Sequence, residues 1–251
     1  MATLSNICQF LDKELKISEI HDASQNGLQV EGKQEVKKVA FAVDASLDTL
    51  EEAHKRKADM VVVHHGLFWD KPQQLTGILY KRLQVLFKHQ ISLYAAHLPV
   101  DIHPRIGNNA QLMNFFVTKK RETFGDYHGV DIGFLGILQR DTTLSAVVTR
   151  LEESLDTKCQ VLSFGKEKIK TIAIVSGGAA ELVTDAVNKN VDLFITGESK
   201  LSSCYIAKEG KINVIFAGHY ATETIGVQAL SKVICEQFSV ECEFVDLPTG
   251  F

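Results

Sequence analysis

The chain has 251 residues, 45% hydrophobic and 23% charged, with four prolines; this leaves room for one large α/β domain or two small ones and excludes a disordered or low-complexity polymer. A net charge of −4 and a pI near 6.1 argue against nucleic acid as the primary partner, because phosphate binding shows as a basic face or stripe. The five cysteines are odd in number and lack a C-x-x-C pair, which excludes a disulfide framework and a sulfur-ligated zinc site, and with no secretion signal and no membrane span the chain reads as cytoplasmic, with reduced, mostly buried thiols.

Apolar residues Leu4, Ile7, Phe10, Leu11 and Leu15 recur near the helical period, so Thr3 to Ile17 is read as an amphipathic helix capped by Ser5 or Thr3. Ser24 to Val30 carries a turn signal and a short extended segment. Val36 to Val43 alternates as a strand, Leu47 to Lys57 forms a helix, and Asp59-Met60-Val61-Val62-Val63 is a buried strand closing on His64-His65-Gly66. A strand that ends in two imidazoles and a glycine is suited to holding a divalent metal. Neighbouring strand side chains diverge, so the two histidines would serve two metals, or one metal and one supporting contact. Phe68, Trp69 and Pro72 mark a loop that either walls a pocket or simply packs on the surface.

A basic helix from about Leu79 to Lys88 follows, then a strand, Ile91 to Ala96, running into His97-Leu98-Pro99-Val100-Asp101. The next helix begins near Asn108 and Asn109. Thr118 to Asp131 is charged, rich in turn formers and without sustained apolar periodicity, which places the boundary there, between an N-terminal lobe of 1–125 and a C-terminal lobe of 126–251. Ile132 to Leu138 is a strand, Leu144 to Leu155 a helix and Cys159 to Phe164 a strand.

The first pattern then returns. At an offset of 133, Val36 to His65 falls on Ile169 to Glu198 without a gap, and Asp59-Met60-Val61-Val62 falls on Asp192-Leu193-Phe194-Ile195. At an offset of 122, His97 falls on His219 and Asp101 on Glu223, each after a predicted strand and each written H-x-x-x-D/E. The two matches predict an internal duplication, α/β in both halves, whose second copy has replaced His64-His65 by Gly197-Glu198.

The candidate constellation is therefore His64, His65, His97, Asp101, His219 and Glu223, with Glu198 nearby. Imidazole and carboxylate donors without thiolate suit zinc, manganese, iron or cobalt, and their number suits two ions, which would activate a shared water and polarise a substrate. Each H-x-x-x-carboxylate alone also fits an ordinary helix-start pairing. Ser176-Gly177-Gly178 follows a strand as a phosphate-binding turn would, but lacks G-x-G-x-x-G and a Walker lysine and reads better as a plain turn. His21, His54, His89 and His128 are assigned no role.

Ser24 to Val30, Val63-His64-His65-Gly66, His97 to Asp101 with Gly107 to Ala110, Thr196-Gly197-Glu198 and Ala217 to Thr224 occur in an order that resembles the Nif-three-like family, also called GTP cyclohydrolase I type 2. The resemblance implies two similar α/β lobes, two divalent metal ions in the cleft between them, and a ring-shaped homohexamer. It assigns metal binding to His64, His65, Asp101, His219 and Glu223. It leaves His97 as a near-site imidazole, the candidate for proton transfer in catalysis. The implied reaction is GTP cyclohydrolysis: water adds to C8 of the guanine ring, the imidazole ring opens, formate leaves and the remainder recloses. A related nucleotide hydrolase, or a non-catalytic metal-binding regulatory protein, is the alternative.

Overall fold

The computed structural model describes residues 2–251. In chain order the strands and helices are β1 (Ala2–Thr3), α1 (Leu4–Glu14), β2 (Gly27–Val30), β3 (Glu35–Val36), β4 (Lys38–Asp44), α2 (Leu47–Lys55), β5 (Met60–His65), α3 (Gly77–His89), β6 (Ser92–Ala95), α4 (Leu98–Asp101), α5 (Asn108–Met113), β7 (Thr118–Tyr127), β8 (Val130–Thr143), α6 (Leu144–Leu155), β9 (Gln160–Ser163), β10 (Lys168–Ile174), α7 (Val183–Asn188), β11 (Leu193–Thr196), α8 (Leu201–Gly210), β12 (Asn213–Phe216), α9 (His219–Phe238) and β13 (Glu241–Phe244). Side-chain oxygens of Thr3, Ser46 and Thr143 cap α1, α2 and α6 by accepting from the amides of Asn6, Thr49 and Ala146.

The chain divides into two compact units. One runs up to Val100 and takes back Gly226–Leu247; the other is Asp101–Ile225 with Pro248–Phe251. The expected boundary near residue 125 is displaced because β7 and β8 form one hairpin that belongs wholly to the second unit.

In the first unit the sheet order is β13-β4-β5-β6-β2, with β13, β4, β5 and β6 parallel and β2 antiparallel at one edge. Val39 to Val43 is apolar at every position and almost fully buried, as a parallel strand covered on both faces requires. In the second unit the order is β7-β8-β10-β11-β12-β9, in which β10, β11 and β12 are parallel and the outer strands antiparallel.

The two parallel sheets share one strand register. Val39, Ala40 and Phe41 pair with Met60, Val61 and Val62; Ile172, Ala173 and Ile174 pair with Leu193, Phe194 and Ile195, the same register at an offset of 133. The buried start of the second strand is handled identically too. Asp59 accepts from the amides of Lys37 and Lys38 and from Lys33 Nζ, and Asp192 accepts from the amides of Lys170 and Thr171 and from Lys166 Nζ. The third strand differs from expectation by one position: Ser92 pairs with Met60 and Asn213 with Leu193, an offset of 121. His97 is therefore level with Gly218, and one extra residue precedes His219.

Other expectations need correcting. Thr118 to Tyr127 is an edge strand whose Lys119, Lys120 and Glu122 face solvent, while Arg121 lies half-buried over the Phe134 ring, so it lacks the apolar alternation of a half-buried strand. Its turn places His128 and Gly129 both at positive φ (55° and 86°), the pattern of a tight two-residue hairpin connection. Cys8 is the one buried thiol; Cys159, Cys204 and Cys242 are half-buried and Cys235 is exposed. Among the described residues no helix is long and apolar enough to cross a membrane.

Candidate metal centre

Within each unit the candidate residues sit at the carboxyl ends of the parallel strands, where an α/β sheet exposes loop groups without interrupting its ladder. In the first unit β5 lies between β4 and β6, and its two terminal imidazoles are drawn to opposite neighbours. His64 is fully buried, with Nδ1 3.1 Å from the carbonyl oxygen of Ala96 beyond β6. His65 Nδ1 lies 2.8 Å from Oδ1 of Asp44, the last residue of β4. His97 Nδ1 is 3.0 and 3.2 Å from the two oxygens of Asp22. A carbonyl or carboxylate only accepts, so each Nδ1 is the donor in these contacts, and in the neutral ring the lone pair is left on Nε2.

Although His64 and His65 turn to opposite strands, their rings stay close together. The ring centroids of His64 and His65 are 4.7 Å apart, and those of His97 lie 5.0 and 5.6 Å from them. One nitrogen from each of the three falls within 4.8 Å of the others, the scale of two metal–nitrogen bonds of about 2.1 Å each.

Asp22 and Asp44 are not singled out by the sequence, and Asp22 is the more heavily bonded of the two. It receives the amide of Ser24 (3.1 Å), Asn26 Nδ2 (2.8 Å) and the amide of Leu98 (2.9 Å), while Asn26 Oδ1 receives the amide of His97 (2.8 Å). Burial opposes its charge, yet the contacts with His97, Asn26 and Ser24 outweigh it and hold the carboxyl down at about 2. Asp22 accepts from the amide two residues on, an Asx turn, and that local pattern carries no sign of a histidine 75 positions away.

In the second unit α9 begins with His219. Its Nδ1 lies 2.6 Å from Glu198 Oε1, the nearby residue expected from the repeat, and its Nε2 lies 3.0 Å from Glu223 Oε1, one helical turn on. Burial lowers the imidazole's proton affinity, but the two carboxylates more than reverse this and raise it to about 9. A divalent ion would take the place of that proton, since Nε2 and Oε1 stand at the spacing of two donors on one ion.

Asp101 Oδ1 receives Asn108 Nδ2 and Ser176 Oγ, each at 2.9 Å. Its carboxylate thus belongs to the second unit, and the partner of His97 is Asp22, which the H-x-x-x-D spacing did not reveal. The Ser176-Gly177 turn touches both carboxylates, Asp101 through Ser176 and Glu223 through Gly177. Gly177 has φ +65°, donates its amide to Thr222 Oγ1 at 3.0 Å, and has no room for a Cβ, which would collide with Glu223 Oε1. This is the structural role of the glycine-rich turn. His54 and His89 stack on one another, centroids 3.4 Å apart, and join neither cluster.

The donors in both clusters are imidazole nitrogens and carboxylate oxygens, so each set fits a borderline divalent ion. The sequence profile of the Duf34/NIF3 (NGG1p interacting factor 3) family matches residues 2–249. The chain is 46% identical over 245 residues to a protein of Pyrococcus horikoshii named GTP cyclohydrolase 1 type 2 homolog, covering 97% of this chain and 98% of that one. It is 44% identical over 247 residues to a protein of the same name from Archaeoglobus fulgidus, covering 98% and 99%. Its fold is similar to the crystal structure of TTHA1606 from Thermus thermophilus, with a TM-score of 0.92, 37% identity, and 99% and 100% of the two chains covered.

Proposed function

The chain belongs to the Duf34/NIF3 family, and from that membership we propose that it is a divalent-metal-dependent hydrolase acting on a nucleotide, of the GTP cyclohydrolase type named for its relatives. The observation that carries the reading is the commitment of Nδ1 in His64, His65 and His97 to Ala96, Asp44 and Asp22, which turns three Nε2 lone pairs toward ligation or proton transfer.

In this reading His64, His65, Asp101, His219 and Glu223 hold two divalent ions drawn from zinc, iron, manganese or cobalt. Bound there, the ions supply Lewis acidity and bring the ionisation of water toward neutral pH. His97 accepts a proton at Nε2 from the attacking water and returns it to the leaving nitrogen, while Asp22 keeps the proton on Nδ1 and stabilises the imidazolium. Glu198 holds His219 through Nδ1, so that Nε2 and Glu223 act as a pair. The same reading carries a cytoplasmic homohexamer.

The test is metal analysis of the purified protein, followed by turnover assays with GTP and the other nucleoside triphosphates in each metal. The expected result is nucleotide turnover that a chelator abolishes and one of the four metals restores. The family's description as an interacting factor favours a second reading, a metal-binding regulatory protein. Full metal loading, no turnover of any nucleotide and metal-dependent binding of a protein would favour it instead.

A further inference from the structure

We propose that Trp69 forms a stacking wall for the purine ring of a nucleotide beside the imidazoles of His64, His65 and His97, an inference that rests on the nucleotide reading above. Trp69 is the chain's single tryptophan. Its ring centroid is 5.1 Å from that of His97 at an interplanar angle of 70°, and 6.1 Å from that of His65. The preceding aromatic, Phe68, packs against the first unit's core, whereas the Trp69 indole stays half-buried at the cluster's margin.

The indole is also held in place. Its Nε1 donates to the carbonyl of Gly66 at 3.2 Å, which fixes the ring about its own bonds. The loop that carries it is strapped to residues 23–29: Gln25 N donates to Phe68 O (3.0 Å), Asp70 N to Ala23 O (2.8 Å) and Leu67 N to Gln29 Oε1 (2.7 Å), and Ser24 bridges Trp69. A Cβ on Gly66 would run into Ala95 and the Gln29 amide, so the loop sits flush against the end of the sheet. That segment supplies Asn26, and the residue just before it is Asp22; both orient His97.

One rigid stretch therefore positions both the imidazole and the indole. An apolar ring of this size kept at the edge of a polar cluster has a use when a flat aromatic ligand covers it, since stacking is tolerant of ring identity and strengthens binding by about tenfold or more. A purine against the indole lies beside the imidazoles, with its five-membered ring within their reach.

The experiment uses the full chain loaded with zinc, a closed-shell ion that leaves tryptophan emission intact, and two probes, GTP and inorganic triphosphate. GTP is expected to quench Trp69 emission saturably and triphosphate to leave it unchanged. By calorimetry Trp69→Leu should bind GTP about tenfold or more weakly at unchanged zinc content, and Trp69→Phe, which keeps a ring, should retain most of the affinity. Equal quenching by triphosphate, no quenching by GTP, or undiminished GTP affinity in Trp69→Leu would overturn the proposal. The two readings fail separately. GTP that quenches and depends on Trp69 but is never hydrolysed leaves the stacking wall and removes the hydrolase; turnover with an unchanged KM in Trp69→Leu does the reverse.

Discussion

Asp22 places both carboxylate oxygens against Nδ1 of His97, at 3.0 and 3.2 Å, from a turn that lies 75 positions earlier in the chain. That contact decides which nitrogen of His97 carries the lone pair. Asp22→Asn removes the anion but preserves the side chain's size. The expected outcome is a folded protein whose proton transfer, read as the alkaline and acid limbs of the pH–rate profile, is displaced and whose kcat falls. Metal affinity measured by chelator competition should weaken by at most about 10- to 100-fold. An unchanged profile would show that Asp22 only shapes the turn.

Glu223 and His97 should separate as ligand and proton carrier. Glu223→Gln keeps volume and removes charge from the contact with His219 Nε2, so bound metal and nucleotide turnover should fall together. His97→Asn should lower turnover more than metal content. Metal stoichiometry measured beside turnover decides it: two metals per chain in Glu223→Gln would sink the ligand assignment, and complete metal loss in His97→Asn would make His97 a ligand.

Gly177→Ala should damage the second cluster through the backbone. The residue has φ +65° and its new Cβ would press on Glu223 Oε1 and His219 Nε2. A cost of about 1–3 kcal/mol in denaturant unfolding is expected, together with reduced metal binding. An unaltered unfolding midpoint would mean that the turn relaxes freely.

Asp192 should contribute acid-sensitive stability. Burial works against its charge, but the amides of Lys170 and Thr171, the Thr171 hydroxyl and Lys166 hold its carboxyl below the ordinary value. A depressed folded pKa means that the contribution is full above the unfolded value of about 3.9 and is lost as pH falls through the folded one. Asp192→Asn should therefore be less stable than the parent at neutral pH, with the gap narrowing below about pH 4. A gap constant with pH would assign the effect to geometry instead of charge.

Assembly is open to direct measurement. Light scattering at micromolar concentration is expected to report a hexamer, unchanged by reducing agent because all five cysteines are free thiols. A monomer would contradict the expectation.

Much of this protein was legible in its sequence because buried strands and strand exits are local patterns. Met60 to Val63 of β5 are apolar without alternation, His64-His65-Gly66 ends the strand, and the register of Val39 with Met60 recurs as Ile172 with Leu193, so strand identity and the positions of the histidines follow from order alone. The edge strand Thr118–Tyr127 escaped notice since it buries little beyond Phe124 and Gly125, and α9 escaped because it has no single apolar face to mark it. What only the tertiary structure decided is the set of acceptors. Ala96, Asp44 and Asp22 meet the imidazoles across 32, 21 and 75 positions, Ser176 meets Asp101 across 75, and Gly177 must lack a side chain because Glu223 stands where its Cβ would be. Sequence spacing encodes which side chains share a strand or a helical turn; it carries no record of which distant loops the sheet brings to the same edge, and it is those contacts that choose the tautomer, the charge and the lone-pair nitrogen of each histidine.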